Sequence, residues 1–161
     1  TVYVFNHSDR DLTDYLERLK KAIDKEDVKV VQWKAVEELV RNSDIICTTT
    51  PSTTPVLPDD KELLRGKCII AIGSYMPEMR EIPDAVLDLV DNVYIELPYG
   101  DLSQPLASGK LTKDRVKLMH EYLVSGEKEI KEGQTTYFKS VGMGLFDVCI
   151  AQKLYEVAKE K

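Results

Sequence analysis

"KCIIAIG", Lys67–Gly73, is a nearly continuous apolar run that ends in glycine. A strand with one wet face alternates apolar and polar residues. An unbroken run of this length reads instead as a strand buried on both faces, which belongs in a parallel sheet. The same grammar recurs on either side of it. Upstream, Val2–Phe5, "VKVVQW" (Val28–Trp33) and "DIICTTT" (Asp44–Thr50) read as strands, and "NVYIEL" (Asn92–Leu97) follows downstream. Helical patterns separate them: Leu12, Tyr15, Leu16, Leu19 and Ile23 at helical spacing, "KAVEELVRNS" (Lys34–Ser43), and "PDAVLDLV" (Pro83–Val90), whose proline suits a first helical position. Two more helices are expected. One runs from about Thr112 to Ser125 with Val116, Met119 and Leu123 on one side, Thr112 and Asp114 suiting its start. The other runs from about Leu145 to Lys159 with Leu145, Val148, Cys149, Leu154, Tyr155 and Ala158 inward. The fold class is α/β, an open, doubly wound parallel sheet covered on both faces.

The chain has 161 residues, 43% hydrophobic and 31% charged, which fits one globular domain rather than a disordered chain. Its net charge of −6 is spread over interspersed acids and bases, with no basic stripe, so nucleic acid is not an expected partner. The apolar runs are far too short for a membrane span, and no signal-peptide pattern is read. Cys47, Cys68 and Cys149 sit in apolar segments without metal-ligand spacing. They are expected to be small buried hydrophobes, in keeping with a reducing cytoplasmic setting and with no metal site.

Ligands of such sheets bind outside the carboxyl ends of the strands. Three of those ends stand out. In "FNHSDR", Asn6, His7, Ser8 and Arg10 offer donors and cations where a dinucleotide fold meets the adenosine ribose. That favours a 2′-phosphate, hence NADP over NAD, although Asp9 and Asp11 weigh the other way. The same turn also reads as a helix cap built on Ser8 or Asp9. In "CTTTPSTTPVLP", hydroxyls from Thr48 to Thr53 and a proline-fixed path suit ribose and phosphate oxygens, or form a plain turn. In "AIGSYMPEMREI", Gly73 permits close backbone approach and Pro77 fixes the following turn; a strand-ending glycine is the alternative.

Together and in this order, these pieces resemble the ornithine cyclodeaminase/mu-crystallin family of NAD(P)-dependent proteins. The resemblance rests on "VYVFNHS", "SDIICTTTPSTTPVL", "GKCIIAIGSYMPEMREI", "ASGKLTKDRV" and above all "TTYFKSVGMGLFDVCIAQKLYEVA". It implies that Asn6, His7 and Ser8 contact the adenosine ribose and its 2′-phosphate, His7 standing where the family carries arginine. It further implies that Thr48, Thr50 and Pro51 lie beside ribose and phosphates, that Ile72, Gly73 and Ser74 lie under the nicotinamide, and that Ser140 lies near the carboxamide. Tyr75 occupies the position of the family's acid/base aspartate, and Met79 replaces a nearby lysine. Tyrosine, with an ordinary pKa of about 10, is a poor base near neutrality, which argues against cyclodeamination of ornithine.

What the resemblance implies for the whole is a Rossmann-type domain over residues 1–161 that starts at the second strand. The first strand, its Gly-rich turn and an N-terminal substrate and dimerisation domain lie outside these residues, and no GxGxxG occurs within them. The expected function is NAD(P)-dependent hydride transfer to or from a small imino or amino acid, by a homodimer at full length, with these residues alone inactive. Glu78, Arg80 and Glu81 are candidates for lining the substrate cleft. His120 is expected to be structural or exposed. The competing reading is a non-catalytic relative that binds a nucleotide or a small ligand, as mu-crystallin binds thyroid hormone.

Overall fold

The computed structural model describes residues 1–8, 10–23, 25, 27–97, 102–126 and 130–159. Asp9, a possible helix cap above, lies outside them. The elements in order are β1 (Val2–Val4), α1 (Thr13–Ile23), β2 (Val30–Gln32), α2 (Val36–Arg41), β3 (Ile45–Thr48), α3 (Lys61–Leu64), β4 (Cys68–Ala71), α4 (Asp84–Leu89), β5 (Val93–Ile95), α5 (Ser103–Ala107), a 3-10 turn at Lys113–Arg115, β6 (Val116–Leu118), α6 (Met119–Ser125), β7 (Thr136–Lys139) and α7 (Gly144–Lys159). Every strand pair is parallel, as continuous apolar strands joined through helices require. The strands form two sheets, β1-β2 and β3-β4-β7-β5-β6, so the last strand of the chain inserts between β4 and β5.

Register explains the core. Ile46, Ile69, Tyr137 and Val93 pair across four strands and are all buried. They share that face with Val40, Leu63, Leu64 and Val86 from α2, α3 and α4. Side chains alternate along a strand, so Ile45 and Cys47 point the other way, and both are exposed. The second face is covered over β5 and open at β3. On the second face Tyr94 packs on Tyr122 of α6, ring centroids 4.9 Å apart, while no described element covers Ile45.

The cysteines depart from expectation for the same reason. Cys47 lies on the open sheet face and Cys149 on α7, both exposed, and Cys68 is half-buried. Burial, then the charge of Glu81, push the Cys47 thiol up, away from reactive thiolate. On α7, Leu145, Val148, Leu154 and Tyr155 stand more than 60% exposed rather than inward, because no described element packs on that helix.

Two local expectations also change. The helix expected from Thr112 starts only at Met119; Val116–Leu118 forms β6 beside β5, and Leu123 is exposed. Three β-residues fit the apolar spacing of a helical turn equally well, so periodicity could not separate them. At α1 the Asp11 carboxylate, not Ser8, accepts from the Thr13 N–H (2.9 Å) and hydroxyl (2.6 Å), which holds its pKa below the usual carboxylate range.

Arg115 closes the carboxyl end of α4. Its guanidinium donates to the carbonyls of Leu87 and Val90, both at 2.6 Å, and of Asp91 at 3.1 Å, satisfying acceptors that a helix end leaves open. Arg115→Ala is expected to cost about 2 kcal/mol, from lost charge-assisted bonds. Denaturant titration checks this; an unchanged midpoint would mean that water replaces the side chain.

Candidate functional site

Four strand ends meet in one row. Thr48, Ala71, Lys139 and Ile95 pair across β3, β4, β7 and β5. One residue further, the Ile72 N–H donates to the Thr48 carbonyl and the Ser140 N–H to the Ala71 carbonyl, both at 2.9 Å. Segments distant in sequence, Thr48–Pro51, Ile72–Ser74 and Ser140, are thus delivered to adjacent carboxyl ends of one sheet, where ligands of this architecture bind.

Close contact continues into the loops. A Cβ on Gly73 would lie 2.1 Å from the Thr50 nitrogen and 2.3 Å from its oxygen. The reading of Gly73 as a point of close approach is therefore met by the chain's own backbone. Glu81 joins the same loops from below. It is fully buried, and its carboxylate accepts from the N–H (2.5 Å) and hydroxyl (3.0 Å) of Thr50. It also accepts from the N–H groups of Gly73 (2.9 Å) and Ser74 (3.2 Å). Sequence reasoning took Glu81 for a cleft-lining charge; buried here, it orders the two loops. Arg80 is half-buried, pairs with Asp84 and donates to the Ile82 carbonyl at 3.1 Å, and Glu78 is exposed.

Two further buried ionisable groups sit at this edge, neither singled out from sequence. Lys139 is 1% exposed and donates from Nζ to the carbonyls of Ser140 (2.8 Å) and Ala71 (3.3 Å), tying β7 to β4. Glu96, just past β5, is 8% exposed, and among the described residues neither of its oxygens finds a hydrogen-bond partner; nor does the buried Thr48 hydroxyl. Unmet polar groups at a strand-end edge are what a polar ligand completes. Tyr75 is 57% exposed, so its phenol faces solvent beside Ser74. Among the described residues no group of carboxylates, histidines and cysteines could hold a metal, and no helix is long and apolar enough to cross a membrane.

The Asn6–Arg10 turn is not joined to this row. It follows β1 in the separate two-stranded sheet, and its described residues, Asn6, His7, Ser8 and Arg10, are exposed. The Asn6 amide there donates to Ser8 Oγ (3.0 Å) and to the Ser8 carbonyl (3.4 Å), so the turn closes on itself.

Known proteins resemble this chain in sequence and in fold. The chain is 35% identical over 137 residues to delta(1)-pyrroline-2-carboxylate reductase of Bacillus cereus, a match that covers 80% of this chain and 42% of that protein. It is 30% identical over 134 residues to ketimine reductase mu-crystallin of Macropus fuliginosus, covering 82% and 40%. The Thermococcus litoralis delta(1)-pyrroline-2-carboxylate reductase, solved with NADH and L-proline, superposes with a TM-score of 0.80 at 20% identity, over 98% of this chain and 50% of that one. The chain thus spans about two-fifths of the length of the curated relatives it matches. A profile of the ornithine cyclodeaminase/mu-crystallin family matches residues 1–161 throughout, and the chain belongs to that family.

Proposed function

We propose that these residues belong to an NAD(P)-dependent oxidoreductase that reduces a small cyclic or linear imine of an amino acid. The observation that carries this is the meeting of Thr48–Pro51, Ile72–Ser74 and Ser140 at adjacent strand ends, in a family whose relatives are named reductases of such imines. The residues fit a pyridine dinucleotide. Ser140 offers a hydroxyl, Ile72 an exposed apolar side chain, and Thr48 and Glu96 unmet polar atoms at the same edge. A bound dinucleotide would supply the hydride; the protein orients the ring and keeps water away. Thr50 spends its N–H and hydroxyl proton on Glu81, so it would act on ribose or phosphate only through their own donors or through shape. Tyr75 gives a phenol where the family's cyclodeaminases carry aspartate, which favours reduction of an imine that arrives protonated over deamination.

The edges of β1 and β3 support a further part of this reading. Among the described residues both are free of a second neighbour, and one strand from outside these residues, seated between them, would join the two sheets as β2-β1-x-β3-β4. That strand and its turn would hold the pyrophosphate, and the intact protein would be a homodimer with a separate substrate domain.

The test is an assay of the intact protein with NADPH and NADH against cyclic ketimines such as pyrroline-2-carboxylate. Turnover confirms the reading. Cofactor binding without turnover would replace it with the non-catalytic one. Cofactor choice has its own measurement. We assign the 2′-phosphate to His7 and Arg10, so His7→Asp should weaken NADPH binding about tenfold more than NADH binding. Equal loss would make the turn a local cap.

A further inference from the structure

Glu96 is a buried carboxyl at the ligand edge. It lies 92% out of water at the end of β5, and among the described residues neither oxygen has a partner in hydrogen-bond geometry, although leaving such a group unmet costs a few kcal/mol. Its surroundings pull in opposite directions. Burial pushes its pKa up, while the approaching Gly142 N–H, the Lys139 charge and the Val141 N–H pull it down. The carboxylate therefore faces the Ser140–Gly142 turn at the ligand edge, beside β7. No described metal cluster accounts for it.

Register places it more closely. Ile95 pairs with Lys139 and Lys139 with Ala71. One residue on, Glu96, Ser140 and Ile72 step together onto the opposite face of the sheet. Ser140 Oγ accepts from the Gly142 N–H at 3.3 Å, and among the described residues nothing takes its own proton. The edge thus carries a hydroxyl donor and a carboxyl acceptor on neighbouring strands, whose backbones run about 4.8 Å apart. One primary carboxamide matches that pair: its oxygen accepts from one strand and its NH2 donates to the other, with bonds of about 2.9 Å.

The geometry points to Glu96 as the acceptor for the carboxamide NH2 of a nicotinamide ring, with Ser140 as donor to the carboxamide oxygen. The pair fixes the rotation of the carboxamide and with it the ring face turned to the substrate. Glu96 is thereby a cofactor-positioning residue that completes its own unmet valences when the ring binds. This rests on the dinucleotide reading above.

A ligand that lacks only the NH2 tests it. In 3-acetylpyridine adenine dinucleotide a methyl ketone replaces the carboxamide, so the acceptor stays and the donor is gone. Calorimetric titration of the intact protein should give wild type at least tenfold tighter binding of NAD than of this analogue, the scale of a hydrogen bond to a charged group. Glu96→Met keeps the volume and removes the acceptor, and should bring the ratio within threefold of one. Glu96→Gln keeps an acceptor without charge and should give an intermediate ratio, which decides the matter if the methionine variant does not fold. Ser140→Ala should weaken both ligands by the same factor and leave the ratio alone. A ratio near one in wild type, or one unmoved by either Glu96 variant, overturns the assignment while leaving the dinucleotide reading intact. Failure of wild type to bind either ligand, with or without the 2′-phosphate, overturns both.

Discussion

Replacing Gly73 with alanine is expected to destabilise the intact protein by about 3 kcal/mol, the top of the range usual when a substitution forces backbone to move. The cause is space, not torsion. Gly73 does not adopt a left-handed φ, so alanine is free to take up its backbone conformation. What alanine meets is backbone on the neighbouring loop: Thr50 nitrogen at 2.1 Å, Thr50 oxygen at 2.3 Å and Thr49 carbonyl carbon at 2.5 Å. None of these is the end of a side chain that can swing away. The Thr48 carbonyl is held by the Ile72 N–H, and the Thr50 N–H by Glu81, so the loop is fixed on both sides of the clash. Relief requires the two loops to part, which breaks the bonds that define the edge.

Gly109 supplies the contrast. It has φ of +75° and nothing within 4 Å of an added Cβ. Gly109→Ala should cost only the torsional preference, about 1 kcal/mol. Denaturant titration of both variants separates the two causes. A Gly73→Ala midpoint close to that of Gly109→Ala would show that the loops after β3 and β4 separate freely.

How much of this was legible in the amino-acid order depends on where each residue's partners lie. "KCIIAIG" announces itself because β4 lies between two parallel neighbours and its apolar run needs no knowledge of them; "DIICTTT" carries the same signal although β3 is an edge strand here, with Ile45 and Cys47 exposed. β7 did not announce itself. Thr136–Lys139 carries β-branched and aromatic residues, a signal that was present, but it ends in a lysine, and lysine is rarely read as buried. Lys139 is tolerated because the Ala71 and Ser140 carbonyls receive its protons, and Ala71 lies 68 residues away in sequence. Glu81 and Glu96 show the same limit. A charge in a loop is solvated by default, and only the assembled edge shows that one accepts from a ring of N–H donors while the other is buried with the Gly142 and Val141 N–H groups nearby. Thr48, Gly73 and Ser140 were legible as a set through family resemblance, and register then brings them to one row.

Glu81→Ala is expected to be the most damaging side-chain truncation at this edge, at about 4 kcal/mol. The argument starts from what is left behind. Removing the carboxylate orphans the backbone N–H groups of Thr50, Gly73 and Ser74, none of which has room for an ordinary turn partner in so close a contact. Each unsatisfied buried donor costs about 1–3 kcal/mol, and three cannot cost independently once the loops relax. Glu81→Gln isolates the chemistry from the volume. One glutamine oxygen serves either Thr50 or the Gly73–Ser74 pair, and the NH2 then confronts N–H donors on the other side. Gln should therefore cost about 2 kcal/mol despite its matched shape. Hydrogen exchange reads the clamp directly. The Thr50, Gly73 and Ser74 amides should lose protection in both variants, while the β3–β4 ladder bonds keep theirs. Protection of those three amides that survives Glu81→Ala would mean that the loops are held by their own backbone, and that the buried carboxylate only fills space.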